Sequence, residues 1–398
     1  MSESKHIKRL LEEYRYIVDS PKNRNCRSLW TKTRSIVLDK WRGCPKENLK
    51  SGIVPLVTWI GFDIVRELTG LDIGRYHRDP IYFLENWLKL KIYYYNNFED
   101  DNYYDNFIPI WLGEGFETTL FGMNIGYLPE KEPWIDRSKP VVTSPDDIDK
   151  LTNLDFRHKG LMPLAVRFYE EINEIVKDFD MDVGFVNWGN GPLTTCNYLR
   201  GYENMASDFL LNPEFARQIL EFVSRVRIDW IKWRHGYLKD KSVEMCEMWD
   251  DDASVPNLSP STFEEFILPA EKNLANFHRG ISYYHNCGPA DPYLESIKKL
   301  GKIELMHAGP FTNYARVAEL FGHTSAIEHH VKSQEEGMNV NPENLEKRLK
   351  KVKDTYDARD VKAYTVRLTA YRNPAQTVND DIKKIKAWIK VARKIFRN

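Results

Sequence analysis

Ile281-Ser282-Tyr283-Tyr284-His285-Asn286-Cys287-Gly288-Pro289 is a short apolar run that ends in two metal-type side chains and a turn. Ile281–Tyr284 has the length and bounding of a buried parallel strand. His285 and Cys287 leave that strand two residues apart, so their side chains fall on one side. A neutral imidazole and a thiolate so placed can chelate one Zn²⁺. Gly288-Pro289 then turns the chain and keeps the space beyond the strand open. A core histidine beside a buried thiol is the plain alternative, and the surroundings decide between them.

Similar runs recur on both sides of this stretch, each bounded by Gly, Pro or Asp. They are Ile53–Trp59, Phe107–Leu112, Asp182–Trp188, Ser242–Trp249, Ile281–Tyr284, Ile303–Met306, Ser325–Ile327 and Lys362–Leu368. Helix starts lie between them at Asn212-Pro213-Glu214, Ser259-Pro260, Asn341-Pro342-Glu343 and Thr377. Eight strands with helical crossovers predict a (β/α)8 TIM barrel, α/β in class, with an open doubly wound sheet as the alternative. Residues 1–50 read as a charged N-terminal helical extension and 51–398 as a single barrel domain, with long insertions between the early strands.

The residues just past the end of each run are chemically loaded. Asn190-Gly191-Pro192 lies after the third and Asp250-Asp251-Asp252 after the fourth. His307 comes after the sixth, Glu328-His329-His330 after the seventh, and Arg367 lies late in the eighth. In a barrel these positions share the C-terminal mouth, where active sites sit. Six of the ten histidines fall between residues 278 and 330, which a scattered structural use of histidine does not explain. A catalytic zinc takes three protein ligands and keeps one position open. The candidate ligands are His285, Cys287, His307 and Asp250, with Glu328 as a further carboxylate. Asp251, Glu328 and Asn190 are the candidate catalytic groups. Trp188, Trp249, Tyr284 and Arg367 are the candidate substrate contacts, Arg367 either for an anion or for pairing with an acid. Cys246 reads as a buried thiol.

Composition narrows the classes. The chain has 398 residues, 42% hydrophobic, with a formal net charge of −1, so nothing draws it to nucleic acid or to an anionic membrane. No apolar run reaches the length of a membrane span, and the N-terminus lacks a signal core; a cytoplasmic protein is expected. Five cysteines do not make a disulfide framework. No GxGxxG, GxxxxGK[ST] or GxSxG occurs, which removes phosphate-loop and nucleophile-elbow chemistries.

Three blocks carry a resemblance. Asn190-Gly191-Pro192-Leu193-Thr194 with Tyr198-Leu199-Arg200-Gly201, then Ser259-Pro260 with Phe263, Glu265-Phe266 and Pro269, then Tyr284-His285-Asn286-Cys287-Gly288 resemble the uroporphyrinogen decarboxylase superfamily over about residues 50–395. The resemblance implies a (β/α)8 barrel. The Arg-rich N-terminal motif of the true decarboxylases is absent, and Arg24, Arg27, Arg34 and Arg42 are scattered. The His-x-Cys-Gly block is similar to the zinc- and corrinoid-dependent methyltransferases, where His and Cys bind zinc. That branch usually supplies a second cysteine near the last strand, yet no cysteine follows Cys287. The resemblance therefore implies Zn²⁺-assisted methyl transfer of the O-demethylase kind, from a small methylated substrate such as an aryl methyl ether. The acceptor is a corrinoid supplied by a corrinoid-binding partner protein, because no DxHxxG corrinoid motif occurs here. A homodimer is left open. A metal-free decarboxylase and a non-catalytic tetrapyrrole-binding protein are the alternatives.

Overall fold

The computed structural model describes residues 3–31, 44–47, 52–151, 154–239 and 245–397. Its strands are β1 (Leu56–Ile60), β2 (Phe107–Pro109), β3 (Ile125–Leu128), β4 (Lys131–Ile135), β5 (Asp182–Gly184), β6 (Cys246–Trp249), β7 (Ile281–His285), β8 (Ile303–Ala308), β9 (Ala326–His330) and β10 (Tyr364–Ala370). Eight of these are the strands expected from the sequence. The first residues of the expected Ser242–Trp249 run lie outside the described residues. β3 and β4 form an antiparallel hairpin inside the insertion between β2 and β5, which the sequence did not announce.

The strand β1 pairs with β10, and the parallel sheet continues through β9, β8 and β7 to β6. β5 pairs in parallel with β2. The chain after β5 joins the two sheets through a parallel bridge between Asn190 and Trp249, where the Gly191 N–H donates to the Trp249 carbonyl at 2.7 Å. The eight parallel strands thus follow barrel order. Among the described residues no ladder joins β1 to β2, and the ring is open there. Side chains satisfy that edge of β1 instead: Leu56 N–H donates to Asp101 Oδ2 at 2.8 Å and Thr58 N–H to Asp100 Oδ2 at 3.1 Å.

The caps follow the local chemistry. Asn341 accepts from Asn344 N–H at the start of Pro342–Asp357. Thr377 and Asp380 form a capping box opening Val378–Phe396. β9 and β10 are longer than their apolar cores, because burial inside a barrel tolerates polar side chains that pair across it. Glu328, His329 and His330 therefore lie within β9 rather than beyond it. In the N-terminal region, the helix Glu3–Val18 packs on the helix Pro80–Asn97, and Cys44 clusters with Tyr283 and Leu305. Residues of the first fifty thus reach the strands themselves.

Candidate metal centre

Alternation along β7 builds the site. Tyr283 and His285 face the strands opposite, and Tyr284 faces away. The Tyr283 hydroxyl donates to Glu328 Oε1 on β9 at 2.8 Å. Arg367 on β10 donates to the same oxygen at 3.0 Å. Above this buried trio the register sets His307 of β8 beside Glu328 and Trp249 of β6 beside His285. The His285 and His307 rings stack, 4.2 Å between centroids.

His285, Cys287 and His307 each present a ligand atom within 4.8 Å of the others. His285 Nε2 lies 3.3 Å from the Cys287 sulfur, while its Nδ1 sits 3.2 Å from Asp251 Oδ1. Asp251 also accepts the Cys287 N–H at 2.7 Å, so one carboxylate orients both halves of the His-x-Cys unit. His307 Nδ1 lies 3.0 Å from the Asn286 carbonyl, and its Nε2 lies 3.2 Å from His330 Nδ1. Burial opposes charge on His285, but the Cys287 sulfur and Asp251 carboxylate outweigh it and raise its pKa well above 6.5. Burial, then the neighbouring His285 and His330, push that of His307 well down. The donor set of two imidazoles and one thiol, with each imidazole Nδ1 facing an outer oxygen, fits a zinc ion. Asn286 holds the loop by donating to the Asp250 and Ala253 carbonyls at 2.8 and 2.9 Å. A Cβ on Gly288 would lie 2.4 Å from Ser254 Cβ, so the turn admits only glycine.

Three expected site residues sit elsewhere. Asp250 is not a ligand: its carboxylate accepts the Leu193 and Thr194 N–H groups at 3.1 and 2.7 Å, capping the helix Pro192–Arg200 from the neighbouring loop. A Cβ on Gly191 would fall 2.5 Å from that carboxyl carbon. Tyr284 does not face a substrate: it is wholly buried outside the ring of strands, where its hydroxyl donates to Glu271 Oε1 at 3.2 Å. Trp188 is buried against Phe121 and Trp230 with edge contacts at 6.0 and 6.2 Å, so it serves packing. The Arg367 charge is taken by Glu328, 3.0 Å away. His329 also turns outward, its Nδ1 3.0 Å from the Tyr356 hydroxyl.

A cavity of about 170 Å³ lies beside the cluster. Trp249 is the shared wall: it lines the cavity, and its ring lies 5.0 Å from that of His285. Asn190 lines it too, its backbone N–H donating to Glu117 Oε1 at 2.9 Å. Burial lifts the Glu117 carboxyl to about 7.

The family model for uroporphyrinogen decarboxylase (URO-D) matches residues 116–362, more than half of the chain. The chain belongs to the URO-D family. Among curated proteins, a methylated-thiol–coenzyme M methyltransferase of Methanosarcina mazei is 26% identical over 162 residues, 41% of this chain and 42% of that one. The matched segment therefore spans less than half the length of that relative. Among solved structures, a methyltransferase from Methanosarcina mazei superposes with a TM-score of 0.60 at 15% identity, covering 86% of this chain and 96% of that one. That likeness speaks for the fold.

Within this URO-D barrel, sequence reasoning missed Glu117 and Glu132 as cavity residues. They lie in the insertion between β2 and β5, and only the folded hairpin brings Glu132 to the mouth. His330 had a usable signal: it stands two residues from Glu328 on one strand, hence on the same face.

Proposed function

We propose that this protein is the methyl-donor-side methyltransferase of a corrinoid-dependent system, with zinc held by His285, Cys287 and His307. The observation that carries this reading is the convergence of those three ligand atoms within 4.8 Å at the strand ends, beside a cavity. When bound, zinc supplies Lewis-acid polarisation of the heteroatom that gives up the methyl group. The chain does the rest. Asp251 fixes the His285 ring and the Cys287 backbone. Trp249, with Trp111 and Tyr371, gives flat walls suited to an aromatic methyl ether. Asn190 and Trp249 also line the cavity, where the buried Asn190 Nδ2 and Trp249 Nε1 have no hydrogen-bond partner among the described residues. The methyl acceptor is the Co(I) corrinoid of a partner protein. The name of the curated relative supports methyl transfer, and the aryl methyl ether is our reading of the cavity. Among the described residues no basic side chain lines the cavity, which disfavours a decarboxylase gripping a polycarboxylate.

The test is metal analysis of the purified protein together with methyl transfer to cob(I)alamin, followed by the visible spectrum. About one zinc per chain is expected, and His285→Ala should lose both metal and transfer. A zinc-free protein whose His285→Ala variant still demethylates sinks the reading.

A further inference from the structure

Among the described residues the ring of strands is open between β1 and β2, and the side chains there leave a second pocket of about 40 Å³. Its walls are Trp59 of β1, Pro109 of β2, Trp111 just beyond it, Phe62 and Val65 of the helix Phe62–Thr69, and Leu90 of the helix Pro80–Asn97, with further rings around them. No lining residue is charged. Packed interiors hold few voids larger than a water, and this one has room for about three heavy atoms. Its place in the barrel gives it meaning. In the strand order β1, β2, β5, β6, β7, β8, β9, β10, the gap between β1 and β2 stands across the ring from β7 and β8, the strands that deliver His285, Cys287 and His307. Trp111 belongs to both spaces, lining the 170 Å³ cavity as well as the pocket. Tyr371 of the cavity wall stands edge-on to Trp59 of the pocket wall at 5.9 Å. Trp249 thus marks the side of the cavity towards the metal ligands, and Trp111 the side towards the gap.

We infer that this pocket is a subsite for the methyl donor: it takes an apolar chain of about three carbons, carried by the aromatic ring at the end away from the methyl group and reaching past Trp111. This rests on the methyl-transfer reading above and names its substrate class, a methoxylated aromatic with a short alkyl or alkenyl substituent. An uncharged aliphatic and aromatic wall gains from each methylene it takes out of water. It offers nothing to a charged or strongly polar group, whose burial there is costly. A donor that sets its ether oxygen towards the ligands of β7 and β8 has its far end directed across the mouth, at the gap.

The experiment is titration of the purified protein, followed by tryptophan fluorescence, with methoxybenzenes carrying hydrogen, methyl, ethyl, propyl or pentyl at the para position. Binding needs neither corrinoid nor turnover. Each carbon up to propyl should tighten binding about threefold, and pentyl should gain nothing over propyl. Leu90→Phe fills the pocket from its outer wall. It should cut the propyl advantage to within about threefold and leave binding of the unsubstituted ring within about twofold of the parent value. If that variant does not fold, Val65→Leu, one methylene larger, should shorten the rise by about one carbon. A flat series overturns the inference, as does a rise that continues through pentyl or survives unchanged in the variants. The two readings fail separately. Zinc and methyl transfer with a flat series sink the subsite alone, whereas a zinc-free, inactive protein that keeps the stepped series sinks methyl transfer and leaves the apolar site standing.

Discussion

Asp251 is the side chain on which the two halves of the His-x-Cys unit depend. Its Oδ1 sits 3.2 Å from His285 Nδ1 and accepts the Cys287 N–H at 2.7 Å. Outer carboxylates of this kind fix the imidazole tautomer, and their loss typically weakens metal binding by about 10–100-fold. Asp251→Asn should therefore lower zinc affinity by about tenfold or more in a chelator competition, with the fold intact by circular dichroism. A change below about twofold would remove Asp251 from the centre. His285, Cys287 and His307 were legible in the sequence because each ends a recognisable apolar run. The division of labour among Asp250, Asp251 and Asp252 was not. Three consecutive acids carry no mark of which one meets the imidazole, and only the turn into the next loop sends Asp250 towards backbone amides.

The helix Pro192–Arg200 shows what such a displaced acid does for an element. Its N-terminal N–H groups need acceptors, and Asp250 supplies them from another strand end. Burial raises the Asp250 carboxyl to about 7 against the opposing effect of those amides. Glu271 is likewise raised, by burial and then by the neighbouring Asp250 charge. Together the pair keeps protons in the folded protein that the unfolded chain releases above about pH 4. Stability is then greatest below that pH and falls as the pH rises from about 4 towards about 7. Glu271→Gln removes one of these protonations while keeping a partner for Tyr284. Its melting temperature should fall less between pH 5 and pH 7 than that of the parent chain; equal slopes would contradict the assignment. The sequence marks Asn190-Gly191-Pro192 as the loop after the third strand and places neither the helix nor its cap, because the capping side chain lies more than fifty residues away.

For the molecule as a whole, the barrel order of the strands was readable from alternation and turn residues, while the open edge between β1 and β2 was not. On that edge Asp100 and Asp101 accept the β1 backbone amides, and such pairing leaves no periodic trace. The join of the N-terminal helix to the barrel was equally silent, since an amphipathic stripe tells which face is buried but not against what. We propose that the helix Glu3–Val18 folds with the barrel as one cooperative unit. Tyr14 tests this. It is 1% exposed, stands edge-on to Trp87 at 5.1 Å and donates to the Asp105 carbonyl at 2.8 Å. Tyr14→Phe loses one hydrogen bond and should cost about 1 kcal/mol. Tyr14→Ala empties a buried aromatic site and should cost about 3–5 kcal/mol. In urea, one transition should move to lower midpoint with its slope unchanged, read alike by tryptophan fluorescence and circular dichroism. If Tyr14→Ala instead splits off a separate early transition and leaves the main midpoint in place, the N-terminal helix is an appendage and the barrel stands without it.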